Sequence, residues 1–311
     1  RRGEALAALA CLGVSPWQTA FLGYPDQGIH GLLMAGDDDL DHALAGEIER
    51  FRPTLLVSPS PSDLQPDHSA LAVFLSFALA RLEPATHPPR EARFVVHHDG
   101  PIAVTGGAER LALTHEERER KRRAILCHAS QLVLRRRALL GFAEDAELFF
   151  APAGASERWG GHPVRHAGVE GDALVLELAR RTRPGAFGAS DLLLAVAGAG
   201  GRRALIARLP RRPGRFELFE RQSGTLLARG ESRRDHAQGP ELVTLPAKVL
   251  AGASQAFVKL ERRFGFFDEA GWCALPCHVT EASAARTRSV FRSPRTAHAP
   301  APVRPAPRDP E

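Results

Sequence analysis

The chain has 311 residues, 44% of them hydrophobic and 25% charged, enough for one large or two ordinary domains with a sizeable core. No uninterrupted apolar stretch approaches the roughly 20 residues of a membrane helix, so no membrane span is expected. The net charge of +5 comes from arginines scattered through an Ala-, Leu-, Gly- and Pro-rich composition, without the clustered basic face that marks a nucleic-acid partner. Four cysteines, Cys11, Cys127, Cys273 and Cys277, are too few and too spread for a disulfide framework. They point to a reducing compartment, and a cytoplasmic location is expected.

Arg1-Arg2-Gly3-Glu4 reads as the middle of a helix, with neither cap nor signal peptide, so the sequence is expected to begin inside a domain. Helical spacing continues to Gly13, and Thr19–Gly23 reads as a short strand. Tyr24-Pro-Asp-Gln-Gly-Ile29 turns the chain, where Asp26 is either an Asx-turn residue or a functional one. The acidic run Asp37-Asp-Asp39 favours the N-terminus of a helix over Leu40–Phe51. Leu55-Leu-Val57 is a short buried strand that feeds the loop Ser58-Pro-Ser-Pro-Ser-Asp-Leu-Gln-Pro-Asp-His68, and an apolar helix follows from Ser69. Arg93–His98 is the next strand. Thr114-His-Glu-Glu117 is a capping box that opens one long helix to about Leu140.

The repeated strand–loop–helix order predicts an α/β sheet covered on both faces. After residue 152 short alternating runs appear, among them 173–179, 191–197, 204–210, 215–221, 241–245 and 256–264. Gly, Pro or polar turns separate them, the pattern of a mainly β sandwich or small barrel. The expected division is therefore an α/β domain over 1–152, a β-rich accessory domain over 160–276 and a disordered tail over 278–311.

Loops at the carboxyl ends of strands are where α/β proteins put functional side chains, which draws attention to Asp67-His68. His68 is a candidate zinc ligand, with His97 or His98 arriving at the end of a neighbouring strand; the rival reading is that Asp67 and His68 only cap the following helix. Cys273-Ala-Leu-Pro-Cys277-His278 has ligand-type residues but no second pair to complete a tetrahedron. Ser58, Ser60 and Ser62 lie in no nucleophile-elbow pattern. No Gly-rich phosphate loop follows any strand.

Several stretches, in order, resemble the PIG-L (LmbE-like) family of zinc-dependent N-deacetylases. They are Arg1-x-x-Glu4, Phe21-Leu-Gly-Tyr-Pro-Asp-Gln-Gly28, the loop ending Gln65-Pro-Asp-His68, Val95-Val-His-His98, Lys121 through Gln131, and Glu147-x-Phe149. The resemblance covers roughly residues 1–150 and implies a Rossmann-like three-layer α/β/α domain, N-terminally incomplete. The implied activity is Zn2+-dependent hydrolysis of the N-acetyl group of an N-acetylglucosamine-type sugar or glycoconjugate. The alternative is a catalytically inactive relative that acts as a binding module through its β domain. By the same resemblance His68 is a zinc ligand, Asp67 orients catalytic groups beside the metal, and Asp26, Arg1 and His97 hold substrate. Gln65 stands where the family usually has an oxyanion-stabilising His; its amide can donate a hydrogen bond but cannot act as an acid near neutral pH. The family's His-Pro-Asp-Asp loop, which supplies two further zinc ligands and the general base, does not occur in these 311 residues; the family-like order from Arg1 onward leads to the expectation that it precedes them.

Overall fold

A computed structural model describes residues 1–82, 89–98, 108–152, 162–179, 190–234, 239–261, 268 and 270–277. The expected tail over 278–311 lies outside the described residues. Arg1–Cys277 form one compact unit.

The first half is mixed α/β. Helices α1 (Arg2–Cys11), α2 (Ile29–Ala35) and α3 (Asp39–Phe51) lead to strand β1 (Leu55–Pro59) and helix α4 (Pro66–Arg81). Strands β2 (Arg90–Phe94) and β3 (Ala108–Ala112), helices α5 (His115–Leu126) and α6 (Ala129–Leu140), and strand β4 (Ala146–Phe150) follow. The four strands form one sheet in the order β1-β2-β4-β3. β1 and β2 run parallel, and the other pairings are antiparallel.

Three local expectations change. Residues 19–23 form no strand and run as an extended connection. The long helix after Thr114 is two helices: the capping box is present, with Thr114 Oγ1 accepting from Glu117 N at 3.2 Å and Glu117 accepting from Thr114 N at 2.8 Å. Cys127 then ends α5, and His128 starts α6. β2 ends at Phe94, so His97 and His98 sit in the loop beyond it rather than inside the strand.

The second half is antiparallel. β5 (Val164–Glu170), β6 (Ala173–Leu178), β7 (Ser190–Gly198), β8 (Gly201–Leu209), β9 (Arg215–Glu220), β10 (Leu226–Arg234), β11 (Glu241–Pro246), β12 (Ala253–Glu261) and β13 (Cys273–Leu275) make one sheet. Its order is β13-β12-β7-β8-β9-β10-β11-β6-β5. The sheet curls until its two outer strands, β13 and β5, touch. Inward-facing residues at every second position fill the interior: Leu174, Leu176 and Leu178; Leu192, Leu194 and Val196; Leu205, Ala207 and Leu209; Ala256, Val258 and Leu260.

A second core lies on the outside of this sheet. Leu193 and Ala195 of β7, Ala204 of β8, Phe257 of β12 and Trp272 pack against Leu33, Met34, Leu40, Ala70, Val73, Phe74 and Phe77 from helices α2, the first turn of α3, and α4. Strand β7 is therefore buried on both faces, which is why Leu192–Val196 is an unbroken apolar run.

Arg202 on β8 crosses this junction. Its guanidinium lies 4.6 Å from the Phe74 ring centre and 4.3 Å from that of Phe77, and it donates to Asp41 Oδ1 at 3.0 Å. Asp41, fully buried, also accepts from Arg81. Burial lowers the Arg202 pKa to about 10, against the attraction of Asp41; the group stays charged at neutral pH. Among the described residues no helix is long and apolar enough to cross a membrane.

Arg202→Met keeps the packing on Phe74 and Phe77 but leaves a buried carboxylate with half its compensation. Removing one partner of such a pair typically costs about 3 kcal/mol. Urea denaturation should show a loss of that order, and Asp41→Asn combined with Arg202→Met should recover part of it.

Candidate metal centre

The loop 60–65 joins parallel strand β1 to helix α4 and lies beside the end of parallel strand β2, the place where a crevice opens in an α/β sheet. Pro66 takes the first helical position of α4, where its missing N–H is no loss. Gln65 is the N-cap: its Oε1 accepts from His68 N at 2.7 Å. Asp63 has no exposed surface. Its Oδ1 accepts from Gln65 N at 2.9 Å; its Oδ2 accepts from Val96 N at 2.8 Å and His97 N at 3.3 Å. The carboxylate thus ties the loop to the segment after β2.

Two imidazoles converge on it. His68 Nδ1 lies 3.3 Å from Asp63 Oδ2, and His97 Nδ1 lies 3.6 Å from Asp63 Oδ1. The two rings are 5.4 Å apart, centre to centre. One ligand atom from each of the three residues falls within 4.8 Å of the others, the one such group of three or more among the described residues. Burial on its own would raise the Asp63 pKa. The His68 imidazole and the N–H groups of Gln65 and Val96 outweigh it and hold the carboxyl below its usual range. Burial lowers the His97 pKa, only partly offset by Asp63, with His68 and Arg135 adding to the decrease. His97 is therefore neutral at neutral pH, the state in which an imidazole binds a metal.

The residues fit a divalent transition metal such as zinc. One carboxylate and two imidazoles are a usual donor set for it, and the 3.3 Å between His68 Nδ1 and Asp63 Oδ2 matches two ligands about 2.0–2.1 Å from one ion. His68 Nδ1 is buried and faces Asp63 Oδ2, so this nitrogen and oxygen are turned toward each other and away from solvent, as two ligands of a common cation are.

Residues 1–79 match the family model PIG-L, described as GlcNAc-PI de-N-acetylase. The likeness thus lies in the N-terminal quarter of the chain. Among solved structures, the conserved protein TT1542 from Thermus thermophilus is 24% identical, over 49% of this chain and 72% of that one, with a TM-score of 0.36. No curated protein matches the chain.

Within the PIG-L segment lie Asp63, Gln65, Asp67 and His68, which share the loop and the first turn of α4. Asp67 is buried, and its Oδ1 accepts from His30 N at 3.1 Å, joining α4 to α2. His97, beyond the matched segment, faces Asp63, whereas His98 is exposed. Arg1 and Asp26 meet in an exposed ion pair, Nη1 to Oδ2 at 2.6 Å, on the connections that flank α1. Asp63 is the residue that sequence reasoning missed. Its signal was present as an aspartate two residues before a helix N-cap, an Asx-turn position, but nothing local says that the carboxylate also reaches Val96 and His97.

The antiparallel half holds the PIG-L loop from behind. Trp272 N donates to Pro61 O at 2.6 Å and Asp268 N to Leu64 O at 3.0 Å. Gly271 fits against the loop backbone so closely that a Cβ there would lie 2.8 Å from Asp63 O. Lys259, fully buried on β12, pairs with Asp268 and lies 5.8 Å from the centre of the Trp272 ring. Burial raises the Asp268 pKa, partly countered by Lys259.

Two outcomes follow from this geometry. Gly271→Ala must push Pro61–Asp63 away, so calorimetric titration with Zn2+ should show affinity at least about tenfold weaker, while far-UV circular dichroism stays that of a folded chain. The pH response has two limbs. His97 has a native pKa below its ordinary 6.5, so its share of stability is complete above that pH and is lost as pH falls toward the native value; Asp63, depressed below 3.8, adds a second loss at more acid pH. Thermal melts of the metal-free protein should fall from pH 7.5 to 5.5, and His97→Asn should flatten that interval while sparing the acid limb.

Proposed function

We propose that this chain is a zinc-dependent de-N-acetylase that removes the acetyl group from an N-acetylglucosamine-type sugar or glycoconjugate. The observation that carries the reading is the convergence of Asp63 and His68, both within the residues that match PIG-L, with His97 from beyond that segment, at the carboxyl ends of two parallel strands. The four-stranded sheet with its helices is taken as part of a Rossmann-like layer.

Asp63, His68 and His97 would hold the metal, His97 thus serving as a ligand instead of in the substrate-holding role that the resemblance implies. When bound, zinc supplies Lewis acidity toward the acetyl carbonyl and a nucleophilic water at neutral pH. The chain's own groups do the positioning. Asp67, fixed by the His30 N–H, keeps a carboxylate beside His68. Gln65 commits its Oε1 to the helix cap, which leaves its amide Nε2 to donate to the oxygen that gains charge as the carbonyl carbon becomes tetrahedral. Arg1 and Asp26, one donor and one acceptor 2.6 Å apart, suit vicinal sugar hydroxyls. Because Gln65 does not titrate, the leaving amine takes its proton from another source.

The test uses protein produced from its complete reading frame, loaded with Zn2+ and assayed for acetate release from N-acetylglucosamine conjugates. Activity is expected, with His68→Ala reducing both zinc affinity and turnover by about 100-fold or more. Tight zinc binding with no acetate release from any such conjugate would instead favour a binding module, and unchanged zinc affinity in His68→Ala would remove the metal centre itself. Gln65→His should introduce a new pH dependence in kcat near neutrality if residue 65 faces the reacting carbonyl.

A further inference from the structure

Cys11 is the last residue of α1, and Cys127 is the residue that ends α5. They are far apart in sequence, yet their sulfurs are 3.6 Å apart and share a hydrogen bond. Both thiols are free and partly exposed. Cys127 Sγ also donates to the carbonyl of Arg123 at 3.4 Å. The other two cysteines are differently placed: Cys273 is buried, and Cys273 and Cys277 each donate to a nearby backbone carbonyl, those of Ala274 and Leu275.

A disulfide bond needs the sulfurs about 1.5 Å closer than this contact, a change within reach of rotation about the two Cα–Cβ bonds. Helix α1 has reason to need such a tie. Ala8 is its one buried residue. Apart from packing on α5, its polar ties are Glu4, which accepts from Ser130 N and Ser130 Oγ at 2.7 and 2.6 Å, Arg1 on Asp26, and Arg2 stacked 4.6 Å from the centre of the Phe21 ring. These are exposed contacts, which anchor weakly.

We propose that Cys11 and Cys127 form a redox-active dithiol, a modification site for low-molecular-weight disulfide oxidants, which closes into an intramolecular bond that staples α1 to α5. The thiolate of one cysteine attacks the oxidant's S–S bond, giving a mixed disulfide and releasing one oxidant thiol. The thiolate of the second then displaces the other half, forming Cys11 Sγ–Cys127 Sγ. Two electrons reduce the oxidant, and the two protein thiol protons end on its two thiols. The shared hydrogen bond and burial hold the Cys127 thiol above its ordinary range, so closure accelerates as pH rises. Residues expected to contact metal are not involved, and the proposal stands apart from the deacetylase reading.

The experiment treats the full, reduced chain with glutathione disulfide. The expected result is loss of two reactive thiols per chain without dimerisation, a Cys11–Cys127 linked peptide in the non-reducing digest, and full reversal by dithiothreitol. The loop closed is long, so the melting temperature of the oxidised form should rise by roughly 5–10 °C. Cys11→Ser and Cys127→Ser should each prevent the link and accumulate the mixed disulfide, while Cys273→Ser should leave it intact. Persistent mixed disulfides on the native chain, intermolecular links, or a bond through Cys273 or Cys277 would overturn the proposal. The peptide map of the native chain decides the matter even if a variant fails to fold.

Discussion

A single buried carboxylate organises the candidate site. Asp63 cannot stay charged without compensation in the interior, and the chain meets that demand with backbone N–H groups from two separate segments and with two imidazoles. Satisfying Asp63 therefore forces the loop after β1 and the loop after β2 into register. The position of His97 relative to His68 is a by-product of that constraint, as is the burial that keeps His97 neutral. A cation placed among the three groups would replace weak charge contacts with direct bonds, without rebuilding the frame around them.

Much of this was legible in the sequence, and what was not has physical reasons. The strand at Leu55–Val57 and the capping box at Thr114 depend on neighbours within a few residues, so local pattern was sufficient, although Leu55 and Val57 are exposed rather than buried and the helix after them is capped by Gln65 rather than by Asp67 or His68. The alternating runs after residue 160 marked the antiparallel strands for the same reason, though β5 escaped notice. Thr19–Gly23 misled because β-branched and aromatic residues resemble a strand even where no partner strand lies alongside. The helix break at Cys127-His128 carries no Gly or Pro. Asp63 was invisible because its partners at Val96 and His97 are remote in sequence, even though the strand-end position of the loop had drawn attention to its neighbours Asp67 and His68.

The antiparallel half is more than an appendage in energetic terms. Its strand β7 turns one face to the interior of the curled sheet and the other to α2, α3 and α4, so the two halves share a core. Arg202 reinforces the junction with a charge that is stacked on two rings and matched by Asp41. Such a junction resists sliding, because moving β8 by one residue would turn its core-facing side chains to the opposite side of the sheet.

Gly271 has a consequence for the order in which the protein is made. The backbone that supports Asp63 rests on a residue synthesised roughly two hundred positions later, and contacts that distant form slowly because the intervening chain must first be closed into a loop. A ribosome that has just released the PIG-L segment holds a loop that still lacks its rear wall. By this argument the candidate site is completed late in biosynthesis, only once the β-rich half has folded behind it.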